Sequence, residues 1–349
     1  MKYVGVDYHK RYSHVTVLAE TGGVVERRRI ENDPSAWSAL LGKIGDRSKV
    51  VVEAGRNVMW IHDLLEEHAD DVVVAHPMKV KAIASAKIKT DAIDSRVLAE
   101  LLRADLIPPA HVASRAVRPA RDVLRQRLFL VRLRTQLKNR IHVLVDRHPE
   151  WVRPPAANTD LFGRTGRQWL AELRLPGEEQ KLLAQDVELL DVFDQNIRTS
   201  ERWIARVSRG NAVVIRLRTI PGIGAFFSAL LWAEIDGIDR FPTPGHLHAY
   251  AGLVPSTYAS GGKTFHGRIT KQGNKWIRWA MIEAVQPAIV HDWELRRFYE
   301  HLKARKGANV AKVATARRLL TLVYRVWKDN RPYQTRYILG SPRTATSQS

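Results

Sequence analysis

KTDAIDSRVLAELL, Lys89 to Leu102, places two carboxylates, Asp91 and Asp94, three residues apart at the start of a predicted helix. Positions i and i+3 share a helix face, so both acids can address one point. Two more acids stand upstream in another setting. Asp7 lies in YVGVDYHK and Glu53 in KVVVEAG, each at or near the end of an apolar, β-branched run. An acid closing a run that reads as a buried strand is costly unless it is paired, hydrogen-bonded or metal-bound. Any one of these residues is also readable as a strand end or a helix cap. The order strand, strand, helix, with an acid at each place, points instead to one shared site.

Composition narrows the partners. The 349 residues include 56 Lys and Arg against 36 Asp and Glu, a formal net charge of +20. Such a charge favours a polyanionic partner, most simply nucleic acid. There is no cysteine, which excludes disulfides and zinc–thiolate sites. The start, MKYVGVDYHK, has no signal-peptide core, and no apolar run approaches the roughly 18 residues of a membrane span. The expectation is a cytoplasmic, nucleoid-associated protein without membrane contact.

Periodicity sets the first domain, expected over residues 1–110. Tyr3–Asp7, Ser13–Ala19 and Val24–Ile30 read as a meander of strands, with Glu20-Thr21-Gly22-Gly23 as a turn. Asn32-Asp33-Pro34 starts a helix carrying Trp37, Leu40, Leu41 and Ile44. Lys49–Glu53 is a strand, Asn57–His68 a helix, Val72–Ala75 a strand and Pro77–Ala84 a short helix. The order β-β-β-α-β-α-β-α predicts an α/β ribonuclease H-like sheet. That sheet gathers acids from two strands and a helix at one edge, which suits two divalent ions about 4 Å apart. Carboxylates are the hard ligands of Mg²⁺ or Mn²⁺.

Residues 111–210 are expected to form a basic helix and a coiled-coil arm. Along Arg118–Arg147 an apolar stripe (Leu124, Leu128, Val131, Leu137, Ile141, Leu144) is crowded by Arg118, Arg121, Arg125, Arg132, Lys138 and Arg140, among others. A solvated face would mix signs, and only Asp122 and Asp146 oppose these cations, so the helix is expected to bind nucleic-acid backbone. Glu150–Pro176 reads as an irregular connector. Gly177–Arg209 reads as a long helix of coiled-coil type, internal or between subunits.

Residues 211–335 are expected to be mainly α-helical, with residues 336–349 a disordered tail. Pro221-Gly222-Ile223-Gly224 before an apolar helix suggests a helix–hairpin–helix-like element, its Gly222 and Gly224 allowing close approach to phosphate. Downstream, Ser260 precedes Gly261 and Gly262, with Lys263, His266, Arg268, Lys271, Lys275 and Arg278 close behind. Small residues beside a hydroxyl, ringed by cations, suit phosphate approach to a serine nucleophile. The same residues also read as a Gly-rich phosphate-contacting loop in which Ser260 only hydrogen-bonds. Helices are expected over Trp276–Ala288, Asp292–Ala304 and Ala308–Lys328.

Together these motifs resemble the bridge-RNA-guided insertion-sequence transposases of the DEDD type, a family that includes the Piv-like DNA invertases. The likeness runs from about Lys2 to Asn330. GVDYHK, VVVEAG and KTDAIDSRVLAEL resemble a RuvC-like half; LVRLRTQLKNRIHVLV resembles the basic helix; IPGIG, AYAGLVP and SGGKTFHGRITKQGNKWIRWA resemble the C-terminal transposase half. Tyr8 within GVDYHK is a small departure. The resemblance implies that Asp7, Glu53, Asp91 and Asp94 carry metal at a RuvC-like site and that Ser260 is the nucleophile of a composite site. It also implies a guide RNA pairing with donor and target DNA, and a homo-oligomer, dimer or tetramer. Two other readings fit part of the sequence. A RuvC-like structure-specific nuclease using metal-activated water explains the acids and charge but leaves the SGG segment as mere binding. A non-catalytic DNA-binding protein explains the charge but not the acids.

Overall fold

The computed structural model describes residues 1–45, 47–55, 57–84, 90–148, 160–260 and 263–334, and at 258–260, 263, 264 and 266 the backbone. They fall into two compact units, Met1–Ala113 and Ser114–Ser349. The tail expected to be disordered and the glycines Gly261 and Gly262 lie outside the described residues.

The first unit is a mixed sheet with helices on both faces. Its strands are β1 (Lys2–Tyr8), β2 (Tyr12–Ala19), β3 (Val24–Glu31), β4 (Ser48–Glu53) and β5 (Asp71–Ala75), in the order β3-β2-β1-β4-β5. β1, β2 and β3 are antiparallel neighbours, whereas β4 pairs parallel with β1 and with β5. Between and after them come α1 (Pro34–Ile44), α2 (Val58–Glu66), α3 (Pro77–Ile83) and α4 (Asp91–Arg103). This is the order of elements that the periodicity predicts.

Strand alternation assigns the faces. Val4, Val6, Val15, Val17, Val50 and Val52 pack with Trp37, Leu40, Ile61 and Leu65 of α1 and α2. Val51 and Ala75, with Tyr3 at the margin, pack with Val80 of α3 and Leu98, Leu101 and Leu102 of α4. Odd positions of β1 therefore meet α4. At Gly5 the contact is closer than any side chain permits: an added Cβ would lie 2.0 Å from the Ser95 carbonyl oxygen and 2.6 Å from the Ala99 nitrogen. Ser95, fully buried, shares a 2.9 Å hydrogen bond with Thr16 on β2, the strand partner of Gly5. Thr90 caps α4, its hydroxyl accepting from the Ile93 amide at 3.3 Å.

The second unit is helical with one hairpin. Its elements are α5 (Arg118–Asp146), α6 (Arg164–Glu172), α7 (Glu179–Val207), α8 (Ala212–Leu217), α9 (Ala225–Ile235), α10 (Pro244–Tyr250), β6 (Pro255–Ser260), β7 (Lys263–Ile269), α11 (Lys275–His291), α12 (Trp293–Lys306) and α13 (Ala308–Lys328). α5 and α7 pack along much of their length and enclose Leu137, Ile141, Leu144, Leu183 and Leu190. A larger core joins α8 to α13 around Leu231, Met281, Leu295, Leu319 and Val323.

Two expectations are corrected. Glu150–Pro176 is not irregular throughout, since α6 forms at Arg164–Glu172 and buries Leu170; residues 149–159 lie outside the described part. The segment around Ser260, for which no strands were expected, contains an antiparallel pair in which Ser260 stands opposite Lys263. Alternating Thr257, Phe265 and Ile269 carried that signal, beneath the glycines that drew attention.

Gly5→Ala tests the packing that sets the first unit. The methyl group would enter the backbone of α4, so stability should fall by about 1–3 kcal/mol, the range for overpacking. Chemical denaturation checks this; an unchanged midpoint would mean that α4 does not rest on β1.

Candidate active site

Asp7 occupies an odd position of β1, on the face that Gly5 gives to α4. Val6 pairs with Val52, so Asp7 and Glu53 follow side by side as the parallel strands end. Asp91 and Asp94 lie in the first turn of α4, where the positive end of the helix dipole favours carboxylates. A cleft of about 190 Å³ is lined by Glu53 and Asp94, together with residues of α3 and α4. All four predicted acids thus fall at the same end of the sheet.

His9, which sequence reasoning passed over, ties two of them together. Its Nε2 stands 3.2 Å from Asp7 Oδ2 and 3.2 Å from Asp91 Oδ2. His14, the strand partner of Asp7, brings Nε2 to 3.6 Å from the same Asp91 oxygen. Donor atoms of Asp7, His9 and Asp91 all lie within 4.8 Å of one another. The signal was available in GVDYHK, because His9, just past the end of β1, follows Asp7 by two and continues the alternation of the strand. The Asp7 carboxyl is raised above its usual value, chiefly by burial; His9 pulls it down, while Asp91 and Asp94 push it up.

Ser260 closes β6, and its backbone pairs with Lys263 at the start of β7. Arg268, Lys271 and Lys275 are exposed along and after the hairpin, and Lys275 rests 4.7 Å from the Trp276 ring centroid. Lys271 holds a positive φ of 54°. Asn274 caps α11, accepting from the Trp276 and Ile277 amides.

Comparison with known proteins matches these regions separately. Residues 4–149 match the DEDD domain of IS110 elements, described as a transposase, and residues 215–300 match the Transposase IS116/IS110/IS902 family. The chain belongs to the IS110/IS116/IS902 family of transposases. It is 24% identical over 351 residues to the transposase for insertion sequence element IS1111A of Coxiella burnetii, covering 96% of this chain and 92% of that one. It is 28% identical over 279 residues to a probable family 20 transposase of Pseudomonas aeruginosa, covering 76% and 80%. An IS110 insertion-element protein of Streptomyces coelicolor is 22% identical, covering 97% and 96%. The protein is accordingly a DNA-cleaving transposase of an insertion sequence.

A DEDD domain implies a divalent metal, and the donor set fits one. A carboxyl raised by burial and further by two neighbouring carboxylates, as Asp7 is, is relieved by a bound cation. His9, between Asp7 and Asp91, is placed to orient both carboxylates.

The transposase uses many of these cations internally, pairings that the sequence of α5 alone does not show. Its arginines form a ladder with α7: Arg127–Glu201 at 2.8 Å, Arg134–Asp194 at 2.8 Å, Arg140–Asp186 at 2.7 Å and Arg147–Glu179 at 3.3 Å. Arg121 is buried and donates to the Ala233 and Glu234 carbonyls of α9. Arg125 grips the fully buried Glu234 through two bonds of 2.8 and 3.0 Å. Asn274 donates to the same carboxylate at 2.8 Å. Arg118 is half-buried, and Lys138 lies 4.6 Å from the Phe162 ring centroid. Arg132 is exposed, with no ion pair among the described residues. Gly222 likewise has an internal use. At φ +82° it fits against α11, where a Cβ would meet the Ala284 carbonyl at 2.5 Å; around Gly224 the space is open. No helix among the described residues is long and apolar enough to cross a membrane.

Two predictions follow from these contacts. A raised Asp7 carboxyl means that ionised Asp7 weakens the fold: the penalty is absent below its unfolded value of 3.8 and sets in as pH rises through the higher folded value. In metal-free buffer at pH 7, Asp7→Asn should therefore be at least as stable as the parent, and Mg²⁺ should raise the melting temperature of the parent more. Equal shifts in both proteins would place the ion elsewhere. For α5, Arg125→Ala takes two of its hydrogen bonds from the buried Glu234 carboxylate, leaving it Asn274, and should cost roughly 2–3 kcal/mol of stability. Arg132→Ala should leave stability unchanged while lowering the salt slope of nucleic-acid binding by about one unit. Calorimetry and salt titration separate the two roles; a reversed pattern would return Arg125 to the binding surface.

Proposed function

We propose that this transposase is an RNA-guided, site-specific DNA recombinase that joins strands through a covalent serine–DNA intermediate. The observation that carries the catalytic half is the crowding of Asp7, His9, Asp91 and Asp94 at the strand ends beside Glu53. Asp7, Glu53, Asp91 and Asp94 would hold Mg²⁺ or Mn²⁺, with His9 orienting Asp7 and Asp91. Such an ion supplies a Lewis acid for phosphate oxygens. The topology β3-β2-β1-β4-β5 supports a RuvC-like, ribonuclease H-like domain, and α8 with α9 serves as the helix–hairpin–helix-like element.

Ser260 attacks DNA phosphorus. Its Oγ–P bond forms as the bond to the leaving deoxyribose oxygen breaks, and that oxygen takes up a proton. Lys263, Arg268, Lys271 and Lys275 offset the charge that builds on phosphorus. The serine ester keeps the energy of the broken phosphodiester, so strands rejoin without a nucleotide cofactor. Gly222 and Gly224 shape the turn before α9, and the open space at Gly224 leaves its amides accessible to phosphate.

Guidance by a bridge RNA is supported by the charge of +20 and by exposed cations such as Arg132. Charge gives affinity but little discrimination between sequences, so a site-specific reaction calls for another reader. RNA pairing with donor and target DNA supplies it. A homo-oligomer, dimer or tetramer, is supported by Leu182, Leu189, Val192 and Trp203, which α7 leaves exposed at near-heptad spacing.

A suicide DNA substrate tests both parts. Denaturing gels and peptide mapping should show an adduct at Ser260, absent in Ser260→Ala and lost after ribonuclease treatment, while non-specific DNA affinity persists. Free cleaved ends from both proteins would instead establish a metal-dependent, water-using nuclease. An adduct formed site-specifically by RNA-free protein would reject guidance.

A further inference from the structure

We propose that the C-terminal end of α2 is a second metal site, in which His62, Asp63 and Glu66 take a four-coordinate first-row divalent ion such as Zn²⁺. His62 is 8% exposed, and its Nδ1 is buried with no hydrogen-bond partner. A buried polar nitrogen left unsatisfied costs about 1–3 kcal/mol, so its place calls for a reason. Nδ1 faces Asp63 Oδ1 at 3.6 Å and Glu66 Oε2 at 3.5 Å. The three donor atoms lie within 4.8 Å of one another.

These separations are too long for N–H···O hydrogen bonds, which run at about 2.7–3.2 Å. They suit two ligands on one ion. Bonds of about 2.0–2.2 Å at tetrahedral angles set neighbouring ligand atoms roughly 3.3–3.6 Å apart. Octahedral Mg²⁺, with bonds of about 2.1 Å, sets them at roughly 3.0 Å and prefers oxygen alone. One imidazole nitrogen with two carboxylate oxygens is also a zinc-type donor set.

The helix end gives an independent reason for a cation. Glu66 is the last residue of α2 and Glu67 its cap, and the last turn carries no basic residue. A cation bound at this end of α2 would also offset the negative end of the helix dipole. His62 and Glu66 are four apart and share a face. Glu66 is about half exposed, which leaves solvent access for a water as the remaining ligand. The site is separate from the four acids. α2 starts five residues after Glu53 and carries this cluster at its far end. Zinc there has no redox chemistry and no substrate; it would fasten the end of α2.

The test uses the full chain with Asp7→Asn and Asp91→Asn, so that the catalytic acids no longer hold metal. After exposure to Zn²⁺ and dialysis it should retain one zinc per chain, and Co²⁺ should give the strong visible absorption of a four-coordinate site. Glu66→Gln and Asp63→Asn, both at solvent-reached positions, should lose the zinc and the cobalt band while keeping the parent circular dichroism. Unsubstituted protein in excess Mg²⁺ provides a second comparison, in which Zn²⁺ should raise the melting temperature and Glu66→Gln should abolish that rise. Equal zinc content with and without Glu66→Gln, or no uptake by folded protein, would overturn the proposal and leave His62 beside its two acids without an ion.

Discussion

A helix lying directly on strand backbone is the constraint on which the first unit depends. Gly5 has no side chain, and α4 fills the space that one would take. The contact fixes the height of the helix over the sheet, and the buried Thr16–Ser95 hydrogen bond fixes its position along the strands. Both constraints act through uncharged groups next to the acids, since Ser95 follows Asp94 and Gly5 precedes Asp7 by two. Their combined result is that the first turn of α4 comes down beside the end of β1, and Asp91 meets the histidines that flank Asp7. The site is therefore held by packing that carries no charge. That division suits metal-dependent chemistry: the Asp7 carboxyl is pushed up chiefly by burial and further by Asp91 and Asp94, so packing has to bring these acids together.

The second unit solves a different problem with charge. A helix as basic as α5 would repel itself in isolation. The acids of α7 answer its arginines at intervals of six to eight residues, so the ladder runs the length of an antiparallel pair. Exposed ion pairs of this kind contribute little singly, about 0–1 kcal/mol. They do fix register, because a shift by one turn would oppose the wrong faces. At the other side of α5, Arg125 and Asn274 enclose Glu234, linking α5, α9 and the start of α11 through one buried carboxylate. The turn that carries Lys271 and Gly273 leads directly into that cap, so the cationic segment after the hairpin is anchored to the long helix.

Much of the fold was legible in the residues. β1, β4 and β5 announce themselves as apolar β-branched runs, and Asp33-Pro34 marks the start of α1, whose cap the Asp33 side chain makes. Four acids at strand ends and a helix start were legible for the same reason: alternation and helical spacing determine which residues share a face. His9 was legible in principle, since it follows Asp7 by two. The hairpin at Ser260 was hidden, because glycines and cations suggest a loop and its weak alternation is the only counter-signal. α6 was hidden by its glycine and its polar neighbours.

The sequence by itself determined the order of elements, the faces of the strands and the inventory of acids and bases. Those are local properties, set by side-chain volume and by periods of two and 3.6 residues. Only the tertiary structure decided where the charges go. Arg125 and Glu234 are 109 residues apart, and Arg121 reads like every other arginine of its helix until α9 is packed against it. The same holds for His62, ordinary in an amphipathic helix and conspicuous only once burial leaves its nitrogen facing two carboxylates without a bond. Burial and pairing are properties of surfaces brought together by folding, and a one-dimensional pattern does not contain them.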